Sequence, residues 1–156
     1  MTFKKIIKEF SNKEYTISTM ESCTGGGVAN AITNCEDSSN IFSYSAVTYS
    51  NEFKIKMGVD KDIIEKYSVY SMECAKSMSK ATSDYTNSTY GVGITGKINK
   101  SDPNNPYGDD STVFISIYNR LDNTYKNTSI ICTKEDRKSN KELIIDEIIK
   151  LLEEDL

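Results

Sequence analysis

The sequence predicts an α/β fold: a three-layer α/β/α sandwich around a mixed, mostly parallel sheet. Three observations lead there. Helical and strand-like patterns alternate along most of the chain, which calls for crossover connections and a sheet covered on both faces. Residues 90–95 form a short apolar run flanked by glycine, as in a strand buried on both sides. Two β-rich runs, 112–118 and 125–133, are joined through Asn119-Arg120-Leu121-Asp122-Asn123 as a hairpin, which adds antiparallel strands. At 156 residues the chain suits one domain, 1–156, able to bury a core without disulfides or metals.

The elements follow in order. Phe3, Ile6, Ile7 and Phe10 recur at helical spacing and predict a helix over about residues 2–12. Residues 15–20 read as a strand. Glycines follow, and Val28, Ala29 and Ile32 mark a helix at about 24–34. Residues 34–40 are a polar loop, and 42–49 alternate like a strand rich in β-branched and aromatic residues. Ser50 caps a short helix to Met57, with Glu52 in its first turn, and Asp60 caps another ending near Tyr67. Ser71 caps a longer helix at about 72–85, with Cys74, Ala75, Met78 and Ala81 on one face. After the buried strand, residues 97–110 form a polar loop carrying Pro103 and Pro106. The hairpin comes next, and a last helix over about 139–154 turns Leu143, Ile144, Ile148, Leu151 and Leu152 to one side. No repeat or low-complexity linker interrupts the chain.

Charge narrows the function. The net charge is −4 and the arginines are Arg120 and Arg137, a poor basis for a nucleic-acid surface, although a small anion needs only a few local donors. The amphipathic N-terminal segment is unlike a signal peptide, and no apolar run approaches the length of a bilayer span. No nucleic-acid or membrane partner is expected, and a cytoplasmic location is. Cys23, Cys35, Cys74 and Cys132 lack close metal-ligand spacing and read as free thiols, with Cys74 and Cys132 in the core and Cys23 packed beneath a turn.

The chemistry concentrates at Met20-Glu21-Ser22-Cys23-Thr24-Gly25-Gly26-Gly27, between a strand and a helix. Glycine allows a sharp turn and close approach of a ligand, and the first amides of a helix face outward without partners. A capped tight turn and a nucleophile or anion site both fit this junction. The chain has no histidine, so an active Ser22 needs another base. A lysine of lowered pKa, helped by a tyrosine, is the usual substitute. Tyr49 ends a predicted strand and Lys54 lies on the next helix. Sites in α/β sheets gather beyond the carboxyl ends of strands, so Ser22, Tyr49 and Lys54 can share one cleft.

Glu21-Ser22-Cys23-Thr24-Gly25-Gly26, followed by Val47-Thr48-Tyr49-Ser50-Asn51-Glu52-Phe53-Lys54, resembles the C-terminal domain of the competence/damage-inducible CinA family. That family includes stand-alone nicotinamide-nucleotide (NMN) amidohydrolases. Lys56-Met57-Gly58-Val59, Val69-Tyr70-Ser71 with Glu73 and Ala75, Gly93-Ile94-Thr95-Gly96 and Glu135-Asp136-Arg137 extend the resemblance over nearly the whole chain.

The resemblance implies hydrolysis of NMN to nicotinic acid mononucleotide and ammonia, with Ser22 as nucleophile and Lys54, with Tyr49, as base. It further implies substrate-binding roles for Thr24, Gly25, Gly26 and Gly96, and places Arg137 at the phosphate; a surface ion pair with Asp136 or Glu135 is the other reading of Arg137. No metal or organic cofactor is implied, and a homodimer is. The sequence departs from the family in one region. Gly96-Lys97-Ile98-Asn99-Lys100 lacks the family's proline and paired glycines, and the loop to Thr112 is longer. Val92 also replaces a common hydroxyl residue. A catalytically altered domain that binds a nucleotide or a protein partner is therefore the alternative to an amidohydrolase.

Overall fold

The computed structural model describes residues 1–156. The helices are α1 (Lys4–Lys13), α2 (Gly27–Thr33), α3 (Asn51–Lys56), α4 (Lys61–Tyr67), α5 (Met72–Thr86) and α6 (Arg137–Glu153). The strands are β1 (Ile17–Glu21), β2 (Phe42–Val47), β3 (Tyr90–Gly96), β4 (Thr112–Asn119) and β5 (Thr124–Ile131). They form one sheet in the order β2-β1-β3-β4-β5. β1 pairs in parallel with β2 and β3, while β4 is antiparallel to β3 and β5 to β4. All strands but β4 thus run the same way, giving the mixed, mostly parallel sheet that the sequence predicts.

Side-chain alternation across the pleat divides the core into two layers. Ile17 of β1, Val92 and Ile94 of β3, and Ile115 and Ile117 of β4 join Phe3, Ile6 and Phe10 of α1, Val28 and Ile32 of α2, and Ile144 and Ile148 of α6. On the other face Met20 meets Val59, Val69, Cys74 and Met78. α5 lies directly on β3. A Cβ at Gly91 would stand 2.0 Å from the Ser79 carbonyl oxygen, and one at Gly93 2.3 Å from that of Ala75. No helix is long and apolar enough to cross a membrane.

Several boundaries differ from the sequence reading for local reasons. α2 begins at Gly27, not near residue 24, because Gly25 and Gly26 adopt φ +61° and +95° and hold the chain in a turn. α6 begins at Arg137, two residues before the expected start, because Asp136 caps it; the Asp136 side chain accepts the Ser139 amide. A short 3₁₀ turn, Ser38–Asn40, occupies part of the expected 34–40 loop.

The connection from β1 through α2 leads to β2 on one side. The return through α3, α4 and α5 leads to β3 on the other. β1 is thus the switch point, and the crevice lies beyond its carboxyl end.

Candidate active site

Ser22 is the first residue past β1, and its amide donates to the Ile94 carbonyl at 3.0 Å, extending the ladder with β3 by one step. Glu21 fixes the turn that follows. Its carboxylate is fully buried and accepts the Thr24 hydroxyl at 2.7 Å, the Val28 amide at 2.9 Å and the Ala29 amide at 3.0 Å. An anion here satisfies the unpaired first amides of α2. Sequence reasoning gives Glu21 no role beyond its place in the motif. Its position just ahead of a helix start, next to a glycine turn, is the signal that could have found it.

Lys54 reaches the same place from α3. Ser50 caps that short helix by accepting the Phe53 amide, and the Lys54 side chain turns inward. Its Nζ lies 3.0 Å from Ser22 Oγ and donates to the Thr48 carbonyl at 2.7 Å. Lys54 is 2% exposed and Ser22 7%. Burial lowers the Lys54 pKa from its ordinary 10.5, against smaller opposing effects of Cys74, Cys23 and Asp102. Thr48 is itself pinned by its amide to the Glu21 carbonyl at 2.8 Å, so the acceptor for Lys54 is fixed to the end of β1.

A cleft of about 720 Å³ opens over this pair. Gly96 lies at its floor, where a Cβ would stand 2.5 Å from the Thr112 carbonyl oxygen, so β4 leaves room for glycine alone. Arg137 borders the cleft and donates to the Ile98 carbonyl at 2.9 Å, rather than pairing with Asp136 or Glu135.

Tyr49 also borders the cleft, but it is 66% exposed and hydrogen-bonds to neither Ser22 nor Lys54. The cause is alternation: β2 ends at Val47, Thr48 points inward at 1% exposure, and the next side chain points out. Thr24, Gly25 and Gly26, expected to bind substrate, do not line the cleft. The Thr24 hydroxyl is engaged by Glu21, and the glycines form the turn.

Cys23 is no competing nucleophile. Burial first, and then the proximity of Cys132, push its thiol up to about 12, and a neutral thiol is inert.

The 97–110 loop forms the far wall. Lys97 is buried, with Nζ donating to the Tyr107 carbonyl at 3.0 Å and lying 3.5 Å from Asp110 and 4.8 Å from the centre of the Tyr70 ring. The Tyr70 hydroxyl donates to Asp102, and the Asn51 side chain of α3 donates to Asn105 at 3.0 Å. These contacts tie the loop to the helix that carries Lys54.

The family model for the CinA C-terminal domain matches residues 2–156. The chain belongs to the CinA C-terminal domain family. A protein named as competence-damage inducible in Clostridium perfringens is 41% identical over 98 residues, covering 62% of this chain and 24% of its own. A CinA-like protein of Flavobacterium psychrophilum is 39% identical over 113 residues, covering 70% of this chain and 26% of its own. This CinA domain therefore spans about a quarter of the length of these relatives.

Among solved structures, a competence-damaged protein (CinA) superfamily protein of Escherichia coli superposes with a TM-score of 0.84 at 21% identity, covering 97% of this chain and 87% of the other. A competence/damage inducible protein of Agrobacterium tumefaciens gives 0.84 at 23% identity, covering 96% and 90%. At that identity the likeness establishes the CinA fold.

Proposed function

We propose that this CinA-family domain is an amidohydrolase that converts NMN to nicotinic acid mononucleotide and ammonia. The observation that carries the reading is the buried contact between Lys54 Nζ and Ser22 Oγ at 3.0 Å, with no histidine anywhere in the chain. Burial favours the neutral amine, whose lone pair can take the Ser22 proton while one N–H stays on the Thr48 carbonyl.

Ser22 Oγ attacks the carboxamide carbon and passes its proton to Lys54. The amides of Cys23 and Thr24 donate to no backbone acceptor and are the candidates to hold the oxyanion. The C–N bond then breaks, Lys54 returns the proton to the leaving nitrogen, and ammonia departs from an ester on Ser22. Water attacks that ester, gives a proton to Lys54, and the proton returns to Ser22 Oγ as the acid leaves. Tyr49, from its place on the rim, serves the ring or sugar of the substrate better than it serves as base. Arg137 suits the phosphate because a guanidinium can bind two of its oxygens at once.

The reading of a binding domain without catalysis draws on the altered 97–110 loop. Lys54 turned to solvent would favour it, and Lys54 points inward. The test is ammonia release from NMN by purified protein. Release that vanishes in Ser22→Ala supports the amidohydrolase. Folded protein that binds NMN without releasing ammonia refutes it.

A further inference from the structure

The cleft carries charges of opposite sign whose partners in the chain are neutral. Arg137 donates to a backbone carbonyl. Asp102, which lines the same cleft, is held by neutral donors: the Tyr70 hydroxyl, the Asn105 side chain at 3.2 Å and the Asn104 amide at 3.0 Å. None of these donors is a cation, and Asp102 is only partly buried and lines the cleft, so it keeps both its charge and access to a ligand. Lys97, in the same loop, is occupied by Tyr107 and Asp110.

Asp102 and its donors form a fixed arrangement. Tyr70 precedes the Ser71 cap of α5, and Asn105 is anchored to α3 through Asn51, so Asp102 is set by two elements that also frame Ser22 and Lys54. Hydrogen bonds to the ionised form favour it, and the Asp102 carboxyl lies below its ordinary range, with the Tyr70 hydroxyl as the largest cause. Asp102 lies in the loop where this sequence departs from the family pattern.

We infer, resting on the amidohydrolase reading, that Asp102 is a specificity-determining residue: it faces the positively charged ring of an N-glycosylated pyridinium carboxamide while Arg137 holds the phosphate. The cleft then selects a zwitterionic nucleotide over the same nucleotide with an uncharged ring. Tyr70, Asn104 and Asn105 are positioning residues that hold the carboxylate in place.

The test compares, by calorimetry in the Ser22→Ala background so that NMN is not turned over, the affinity for NMN and for its reduced form, whose dihydropyridine ring is neutral, with ammonia release read in protein that keeps Ser22. The expected preference for NMN is about fivefold, the scale of a partly solvated ion pair. Asp102→Asn removes the preference by weakening NMN alone, and Asp102→Glu, which keeps the charge, retains it. An unchanged preference in Asp102→Asn overturns the inference. So does an equal loss of both ligands, which would mean that Asp102 only shapes the loop. Ammonia release, followed in parallel, separates the two ideas. Turnover of NMN with a preference insensitive to Asp102 sinks this inference and leaves the amidohydrolase standing. A preference that depends on Asp102, without turnover, does the reverse. Failure to bind either nucleotide removes both.

Discussion

Glu21→Gln is the substitution that most directly probes how the nucleophile is held. The carboxylate accepts four donors: Thr24 Oγ1 and the Val28 amide on one oxygen, the Ala29 amide and, at 3.5 Å, Ser45 Oγ on the other. Glutamine keeps the volume but offers a single acceptor oxygen. Whichever way its amide lies, an NH₂ group meets an N–H or O–H donor in a site without solvent, since Glu21 is 0% exposed.

Hydrogen bonds to a charged group contribute about 1.5–3 kcal/mol each, so loss or weakening of the two α2 amide bonds costs about 3 kcal/mol. For a domain of this size each kcal/mol shifts the melting temperature by about 2–4 °C, so Tm falls by about 6–12 °C. The assay is thermal unfolding followed by circular dichroism at neutral pH. Ammonia release is measured well below the mutant's Tm, where activity is expected to fall because the turn carrying Ser22 is released. A Tm within about 2 °C of the unsubstituted protein, with full activity, would refute the claim that this buried anion organises the site.

The Lys54 pKa is lowered, so its neutral form dominates from that pKa upward and activity rises as pH climbs through it, with the acid limb of kcat/KM below 10.5. The same lowering has a sign in stability: between the folded pKa and 10.5 the unfolded chain holds the proton that the fold lacks, so stability rises with pH across that window. The unfolding free energy of the protein relative to Lys54→Met therefore grows with pH there, by at most about 1.4 kcal/mol for each pH unit, and a flat difference would contradict it. Cys23, pushed up to about 12, resists iodoacetamide at pH 8 in the native protein and reacts after unfolding, as peptide mass spectrometry can read. Gly93→Ala drives a methyl to 2.3 Å from the Ala75 carbonyl and 2.7 Å from the Ser79 amide nitrogen, both backbone atoms of α5, and costs about 3 kcal/mol in urea unfolding.

Much of the fold is legible because local signals and burial agree. The side chains of Ser50, Asp60 and Ser71 each accept a backbone amide at the start of the helix they are expected to open. The strand at residues 90–96 is buried throughout, in keeping with its unbroken apolar and glycine run. Lys54 is legible through an absence: without histidine, a serine at a strand end directs attention to a lysine nearby.

What sequence spacing does not reveal is which way a side chain points once the backbone leaves its strand. The alternating pattern over 42–49 runs two residues past the end of β2, so it places Tyr49 beside Lys54 where the inward position belongs to Thr48. Glu21 stays hidden because its partners, the first amides of α2, become visible only once Gly25 and Gly26 have placed the helix start at Gly27. Asp102 and Tyr70, joined in space but 32 residues apart in sequence, meet through a loop with no periodic pattern to read.

The central claim is that Ser22 forms an ester with the substrate acyl group under the action of Lys54. Acid quenching of the protein during turnover of NMN, followed by mass spectrometry, tests it most directly. The account predicts an adduct of NMN less ammonia on the peptide containing Ser22, absent in Ser22→Ala and in Lys54→Met. Ammonia release that continues in Ser22→Ala, with no adduct on that peptide, would contradict it.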